Sequence, residues 1–161
     1  MPKISIRLAA REDAPYIIRH RREMFAEMSS GTPQGRAQMD AHFDIWLRRH
    51  LEIEDYIAWI ACDDGEVIAG AGLWLIDWLP APDGFAGRLP YVCNVYTEPD
   101  YRHQGLAQKL MNCVIEYCQQ KGYPRVRLHA SEFGRPLYEK LGFNQTNEMA
   151  LIVPNSNGKP I

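Results

Sequence analysis

Ile4, Ile6 and Leu8 alternate with Ser5 and Arg7, the two-residue rhythm of a strand with one buried face. From Glu12 to Met28 the period lengthens: Ile17, Ile18, Phe25 and Met28 recur at helical spacing, with Glu12 and Asp13 in the first turn, where the helix dipole favours carboxylates. On that helix Arg19, Arg21 and Arg22 read as a solvated face. Gly31, Pro33 and Gly35 break the pattern, and Met39, Phe43, Trp46, Leu47 and Leu51 restore a helical stripe. Tyr56–Cys62 is rich in strand formers, Asp63-Asp64-Gly65 is a hairpin turn, and Val67–Leu79 is apolar enough for a long returning strand.

Pro80, Pro82, Gly84 and Gly87 mark a loop, after which Tyr91–Thr97 resumes as a strand. Leu106, Leu110, Val114, Ile115 and Cys118 then line one helical face that Gly122 terminates. Val126 and Leu128 fit a buried strand, Pro136–Leu141 a short helix ended by Gly142, and Met149–Val153 a final strand. The predicted order is strand, two helices, three strands, helix, strand, helix, strand, without an internal repeat or an interdomain linker. Residues 1–154 read as a single domain and 155–161 as a polar tail, since 161 residues suit one hydrophobic core.

Composition narrows the class. Apolar residues make up 46% and charged residues 24%, values of an ordinary soluble globular chain. A formal charge of −2 supplies no basic excess for a phosphate backbone or an anionic bilayer, so neither nucleic acid nor membrane is expected as a partner. No window approaches the roughly 18 apolar residues of a membrane-spanning helix. Cys62, Cys93, Cys113 and Cys118 lack paired CxxC spacing, and Met1-Pro2-Lys3-Ile4 opens no signal-like apolar run, which together favour reduced thiols in a cytoplasm. His20, His42, His50 and His103 show no zinc spacing, and no metal is expected.

The chemistry concentrates where the strand ending at Thr97 leads into the helix beyond Gly105. Amides in the first turn of a helix lack internal partners and sit at the positive end of the dipole, so they attract phosphate. Within Arg102-His103-Gln104-Gly105-Leu106-Ala107, Gly105 removes a side chain at the closest approach, Ala107 stays small, and Leu106 can turn into the core. An ordinary helix start is the bland alternative. There is no GK[ST] ending for a P-loop and no GxGxxG for a Rossmann site, so a different phosphate-bearing cofactor is called for.

This segment resembles the Arg/Gln-x-x-Gly-x-Gly/Ala motif of the GNAT superfamily of N-acetyltransferases, and Leu137-Tyr138-Glu139-Lys140-Leu141-Gly142-Phe143 is similar to the family's late helix-to-strand segment. The resemblance extends over nearly the whole chain from Ile4 to Val153 and is weakest over residues 12–53. It implies an α+β fold with a twisted, mostly antiparallel central sheet of about six to seven strands and about four flanking helices. It also implies acetyl-CoA as co-substrate, its pyrophosphate on Arg102, His103, Gln104, Gly105, Leu106 and Ala107. The pantetheine arm and acetyl group would lie along the backbone of Val95, Tyr96 and Thr97, with Ser131 hydrogen-bonding the arm unless it serves as a helix cap.

By the same resemblance Tyr138 is the acid that protonates the departing thiolate; a packed aromatic is its bland alternative. The reaction implied is direct transfer of acetyl to a primary amine of a small molecule or protein in a ternary complex, a noncatalytic acyl-CoA sensor being the competing reading. Tyr91 stands where some relatives carry a glutamate base, so the base is unassigned, with Asp77, Glu98 or a water chain as candidates. Cys93 and His129 carry no pairing information that would make them a nucleophilic couple. Selectivity is expected from the first two helices and the Trp74–Arg88 region, where Trp74 and Trp78 could line the cleft or serve core packing or a subunit interface. The sequence leaves a homodimer open.

Overall fold

A computed structural model describes residues 3–83 and 87–158. Its contacts group into two compact units, Met1–His129 and Ala130–Ile161. The expected loop around Gly84 and the end of the polar tail fall outside the described residues.

In the first unit, β1 (Ile4–Leu8), β2 (Tyr56–Asp63), β3 (Glu66–Asp77), β4 (Arg88–Thr97) and β5 (Arg127–Leu128) form one sheet in the order β1-β2-β3-β4-β5. The first three pairings are antiparallel and β4–β5 is parallel. The hairpin turn is where the sequence places it: Asp64 and Gly65 both take positive φ, 47° and 89°, which matches the turn to the twist of the strands it joins.

Helices α1 (Ala14–Glu27) and α2 (Pro33–Glu52) cover one face and α3 (Leu106–Lys121) the other. Side-chain alternation shows the separation: Tyr56 and Ala58 of β2 pack with Ala14, Ile17 and Leu47 of α1 and α2, while neighbouring Trp59 meets Tyr117 of α3 edge-on at 5.6 Å. Leu47 and Ile60 are almost fully buried, each worth about 1.5–3 kcal/mol relative to an exposed side chain.

Two expectations are corrected. Pro33 and Gly35 do not precede the second helix; they form its first turn. Pro33 occupies the first helical position, where its missing N–H costs nothing, and the Thr32 hydroxyl caps the helix by accepting the Gly35 amide at 3.0 Å. Arg19 and Arg22 are not simply solvated, because Arg19 is bound to Glu98 and Arg22 to Asp40, both at 2.6 Å.

The second unit contains α4 (Arg135–Lys140) and a Gly142 turn. The expected strand over Met149–Val153 is absent: the segment has no ladder, and Met149 and Leu151 are 93% and 84% exposed. The sheet therefore has five strands among the described residues rather than six or seven. A β-rich composition at 149–153 supplies propensity, but a strand also needs a neighbour to accept its hydrogen bonds.

Candidate active site

Sequence and geometry converge at the end of β4. Opposite β3 the register shifts: Gly72 faces Cys93 and Gly70 faces Tyr96, so Asn94 and Val95 together oppose Ala71. This is a β-bulge, with Asn94 at φ 57°, and a bulge bends its strand and breaks local pairing. On the other edge β5 pairs only with Tyr91 and Val92, so the backbone of Cys93–Thr97 has no β5 partner. A linear acyl arm can lie along such a stretch by taking over the missing ladder bonds.

The bulge is held by a buried polar chain. Asn94 donates through Nδ2 to the Tyr56 hydroxyl at 2.7 Å and accepts at Oδ1 from Arg21 Nη1 at 2.7 Å. Gly72 makes room for this, because a Cβ there would stand 2.0 Å from the Tyr56 oxygen. Asn94 and Tyr56 carry no sequence signature of their own; their importance follows from the bulge.

Beyond Thr97 a short 3-10 turn, Pro99–Tyr101, leads to α3. His103 and Gly105 both adopt left-handed φ, 62° and 77°. Left-handed residues interspersed in a turn bring successive amides to one concave side, an arrangement that binds anions. Among the described residues, the amides of His103, Gln104, Gly105, Leu106 and Ala107 have no acceptor, and the first helical bond is Lys109 N–H to Gly105 C=O at 3.1 Å. A Cβ at Gly105 would meet nothing within 4 Å, so the backbone at this position is uncrowded. The donor set fits a diphosphate. Leu106 is buried, as its place in the motif requires.

Arg102 has a bracing position: its Nη2 binds Glu27 at 2.6 Å and its Nε donates to the Thr97 carbonyl at 2.9 Å, tying the loop to α1 and to β4. Tyr96 donates to the same Glu27 at 3.0 Å, and burial together with that contact pushes its hydroxyl up to about 12. The Val95–Thr97 segment therefore contributes a fixed backbone while the Tyr96 side chain serves structure.

Among the expected proton acceptors Glu98 is already engaged, whereas the sequence does not point to His129 in that role. Glu98 is occupied by Arg19 and by His20 Nε2 at 3.2 Å. His129, immediately after β5, shares a hydrogen bond through Nδ1 with the Tyr91 hydroxyl. Tyr91 thus stands beside an imidazole where the sequence offers no carboxylate. Cys93 does not pair with His129; burial pushes its thiol up to about 11, which keeps it protonated and unreactive. Trp74 packs edge-on against Trp46 at 5.2 Å, whereas Trp78 is 42% exposed beneath the Arg127 guanidinium. A groove of about 550 Å³ lined by Leu8, Leu51, Trp59 and Tyr117 includes none of the cofactor-binding candidates.

Within the second unit the Ser131 hydroxyl accepts the Gly134 amide at 3.0 Å, a local turn bond ahead of α4, whose N-cap is Gly134. Tyr138 is buried, its ring edge-on to Phe143 at 5.9 Å and close over Gly134, where a Cβ would lie 2.9 Å from ring carbon Cε2. Burial raises its hydroxyl pKa, so the phenol holds its proton across the physiological range.

Residues 19–143 match the model of the acetyltransferase (GNAT) family, a span that includes both units' candidate residues. An uncharacterized N-acetyltransferase of Escherichia coli K12, YjgM, is 28% identical over 138 residues, covering 82% of this chain and 77% of the relative. A GCN5-related N-acetyltransferase from Ralstonia eutropha superposes with a TM-score of 0.87 at 32% identity, covering 94% of this chain and 99% of the other. A predicted acetyltransferase with acetyl-CoA from Clostridium acetobutylicum gives 0.86 at 25% identity, with 94% and 96% covered.

Proposed function

Because the chain belongs to the GNAT acetyltransferase family, and is thus an acetyl-CoA-dependent N-acyltransferase, we propose that it transfers acetyl directly to a primary amine while both substrates are bound. The observation that carries this reading is the run of unpaired amides from His103 to Ala107, set just beyond a strand whose last residues lack a partner. Acetyl-CoA, present in the Clostridium relative, supplies the thioester. In this proposal the His103–Ala107 amides hold its diphosphate and the Val95–Thr97 backbone holds the arm and polarises the carbonyl.

An alkylammonium titrates near about 10.4, so the amine must shed a proton to attack. We assign its acceptance to His129: with Nδ1–H donating to the Tyr91 oxygen, Nε2 is left as the acceptor. Tyr138 gives its phenolic proton to the departing sulfur as the new C–N bond replaces C–S. A thiol titrates near about 8.5 and burial raises the Tyr138 phenol above its ordinary value, so the proton stays on Tyr138 until the thiolate forms beside it. Arg102 positions the loop. Ser131, whose oxygen accepts the Gly134 amide, keeps its O–H to donate to the pantetheine arm.

We further place the activity in a single domain over residues 1–154 and, given four unpaired cysteines, in the cytoplasm. No helix of the described residues is long and apolar enough to cross a membrane. The test is thiol release from acetyl-CoA with a panel of amines, comparing native protein with Tyr138→Phe. We expect amine-dependent release by the native chain and a loss of about 10²-fold or more in the variant. Unchanged turnover would remove Tyr138 from the mechanism.

A further inference from the structure

Helix α1 carries three neighbouring arginines, and their partners differ. Arg19 binds the Glu98 carboxylate and Arg22 the Asp40 carboxylate, each at 2.6 Å. Arg21 has no carboxylate within ion-pair distance among the described residues. Among the described residues its one hydrogen bond runs from Nη1 to the neutral amide oxygen of Asn94 at 2.7 Å, and its enclosed Nε finds no acceptor. The guanidinium lies 4.9 Å from the Phe25 ring centroid and 5.0 Å from that of Phe43.

A guanidinium is always charged and carries five N–H donors, and a partly buried charge without a counter-charge is costly. Contacts with two aromatic faces offset part of that cost but leave most of the donors unspent. Such a group is a prepared seat for an anion, and Arg matches an oxyanion in bidentate fashion.

Its position says which anion. Asn94 opens the bulge that continues into Val95–Thr97, so Arg21 is one side chain away from the strand assigned to the thioester. Arg21 stands on the face covered by α1 and α2, opposite α3, whose first turn takes the diphosphate. An acceptor reaching the thioester from the face the cofactor does not enter meets Arg21. Phe43, which lies under Arg21, stacks on Trp46, and Trp46 meets Trp74 edge-on, so an apolar aromatic run leads away from Arg21 and would receive a carbon skeleton.

We propose that the acceptor amine carries an anionic oxygen group, a carboxylate or a phosphate, that Arg21 binds, so that the substrates are amino-acid-like or phosphorylated amines rather than simple cationic amines. This rests on the acetyl-transfer reading above. Competing simple amines are disfavoured because a cationic ammonium without an anionic group leaves the Arg21 charge unanswered.

The test uses matched pairs on the native protein with acetyl-CoA: phenylalanine against phenethylamine, lysine against cadaverine, and O-phosphoethanolamine against ethanolamine. The proposal expects the anionic member of at least one pair to have kcat/KM about tenfold higher or more, mainly through KM, the phosphate and carboxylate pairs distinguishing the two sources. Arg21→Gln should collapse that ratio and Arg21→Lys should restore part of it. Ratios near one in all pairs overturn the proposal while leaving acetyl transfer intact. A second readout needs no turnover: 3-phenylpropionate should alter the fluorescence of Trp46 and Trp74 in native protein, with affinity reduced about tenfold or more in Arg21→Gln. Binding of this kind with no amine acetylated would support the anion seat and overturn the transfer reading; no binding, or equal binding by native and variant, counts against Arg21.

Discussion

Replacing Gly72 by Ala should be among the most damaging single-methyl changes in this protein. The added Cβ would lie 2.0 Å from the Tyr56 hydroxyl oxygen, 2.6 Å from its Cζ and 3.0 Å from the Cys93 carbonyl. Tyr56 cannot swing away freely, since it is 1% exposed, meets Trp46 edge-on at 5.6 Å and is bonded to Asn94. Overpacking a core costs about 1–3 kcal/mol. Breaking the Tyr56–Asn94 bond leaves the buried Asn94 Nδ2 without its acceptor for about another 1–3 kcal/mol.

The expected loss is therefore about 2–6 kcal/mol, a large part of the roughly 5–15 kcal/mol that holds a domain folded. Urea unfolding at neutral pH, followed by tryptophan fluorescence, measures it. Tyr56→Phe removes the closest atom but leaves Cζ, so the double variant should be more stable than the sum of single losses predicts, by about 1 kcal/mol or more. A Gly72→Ala protein within about 0.5 kcal/mol of native, or strict additivity in the cycle, would refute the packing account of the bulge.

Gly105→Glu places a carboxylate in front of the unpaired amides and forces a left-handed φ of 77° on a side-chain-bearing residue. CoA affinity by calorimetry should fall about tenfold or more, and equal affinity would count against this placement. Acid should also destabilise the fold through His20. Burial first, and then the Arg19 cation, lower its pKa from 6.5 to about 4, with the Glu23 carboxylate pulling the other way. The unfolded chain then takes up the proton first, so this contribution is complete above pH 6.5 and is lost as pH falls toward 4. It amounts to about 3 kcal/mol. Unfolding free energies across that window should decline, with His20→Gln flattening the limb; a native stability independent of pH there would contradict the sign.

Much of this architecture was legible because local chemistry and global packing agree. Asp64-Gly65, the Leu106–Cys118 stripe and the Gly122 stop each specify their element without help from elsewhere. The proposed phosphate cradle rests on local chemistry of the same kind, since Gly105 and the small Ala107 would act through the backbone of one turn. What escaped the sequence depends on distant partners. The bulge needs Gly72, Tyr56, Asn94 and Arg21 from four elements, and the Tyr91–His129 contact spans 38 positions. Pro33 and Gly35 were misread as breakers because a proline that stops one helix is equally suited to start the next. Met149–Val153 has the composition of a strand, but composition does not provide a neighbour.

The most direct test compares acetyl-pantetheine 4′-diphosphate with acetylpantetheine, which share the thioester and arm, both lack the adenosine and differ in the diphosphate, by calorimetry on the native protein. If the His103–Ala107 amides grip the diphosphate, losing two charge-assisted hydrogen bonds of about 1.5 kcal/mol each should weaken binding about a hundredfold. Equal affinity for the two ligands would show that the cradle at the head of α3 does not hold the cofactor.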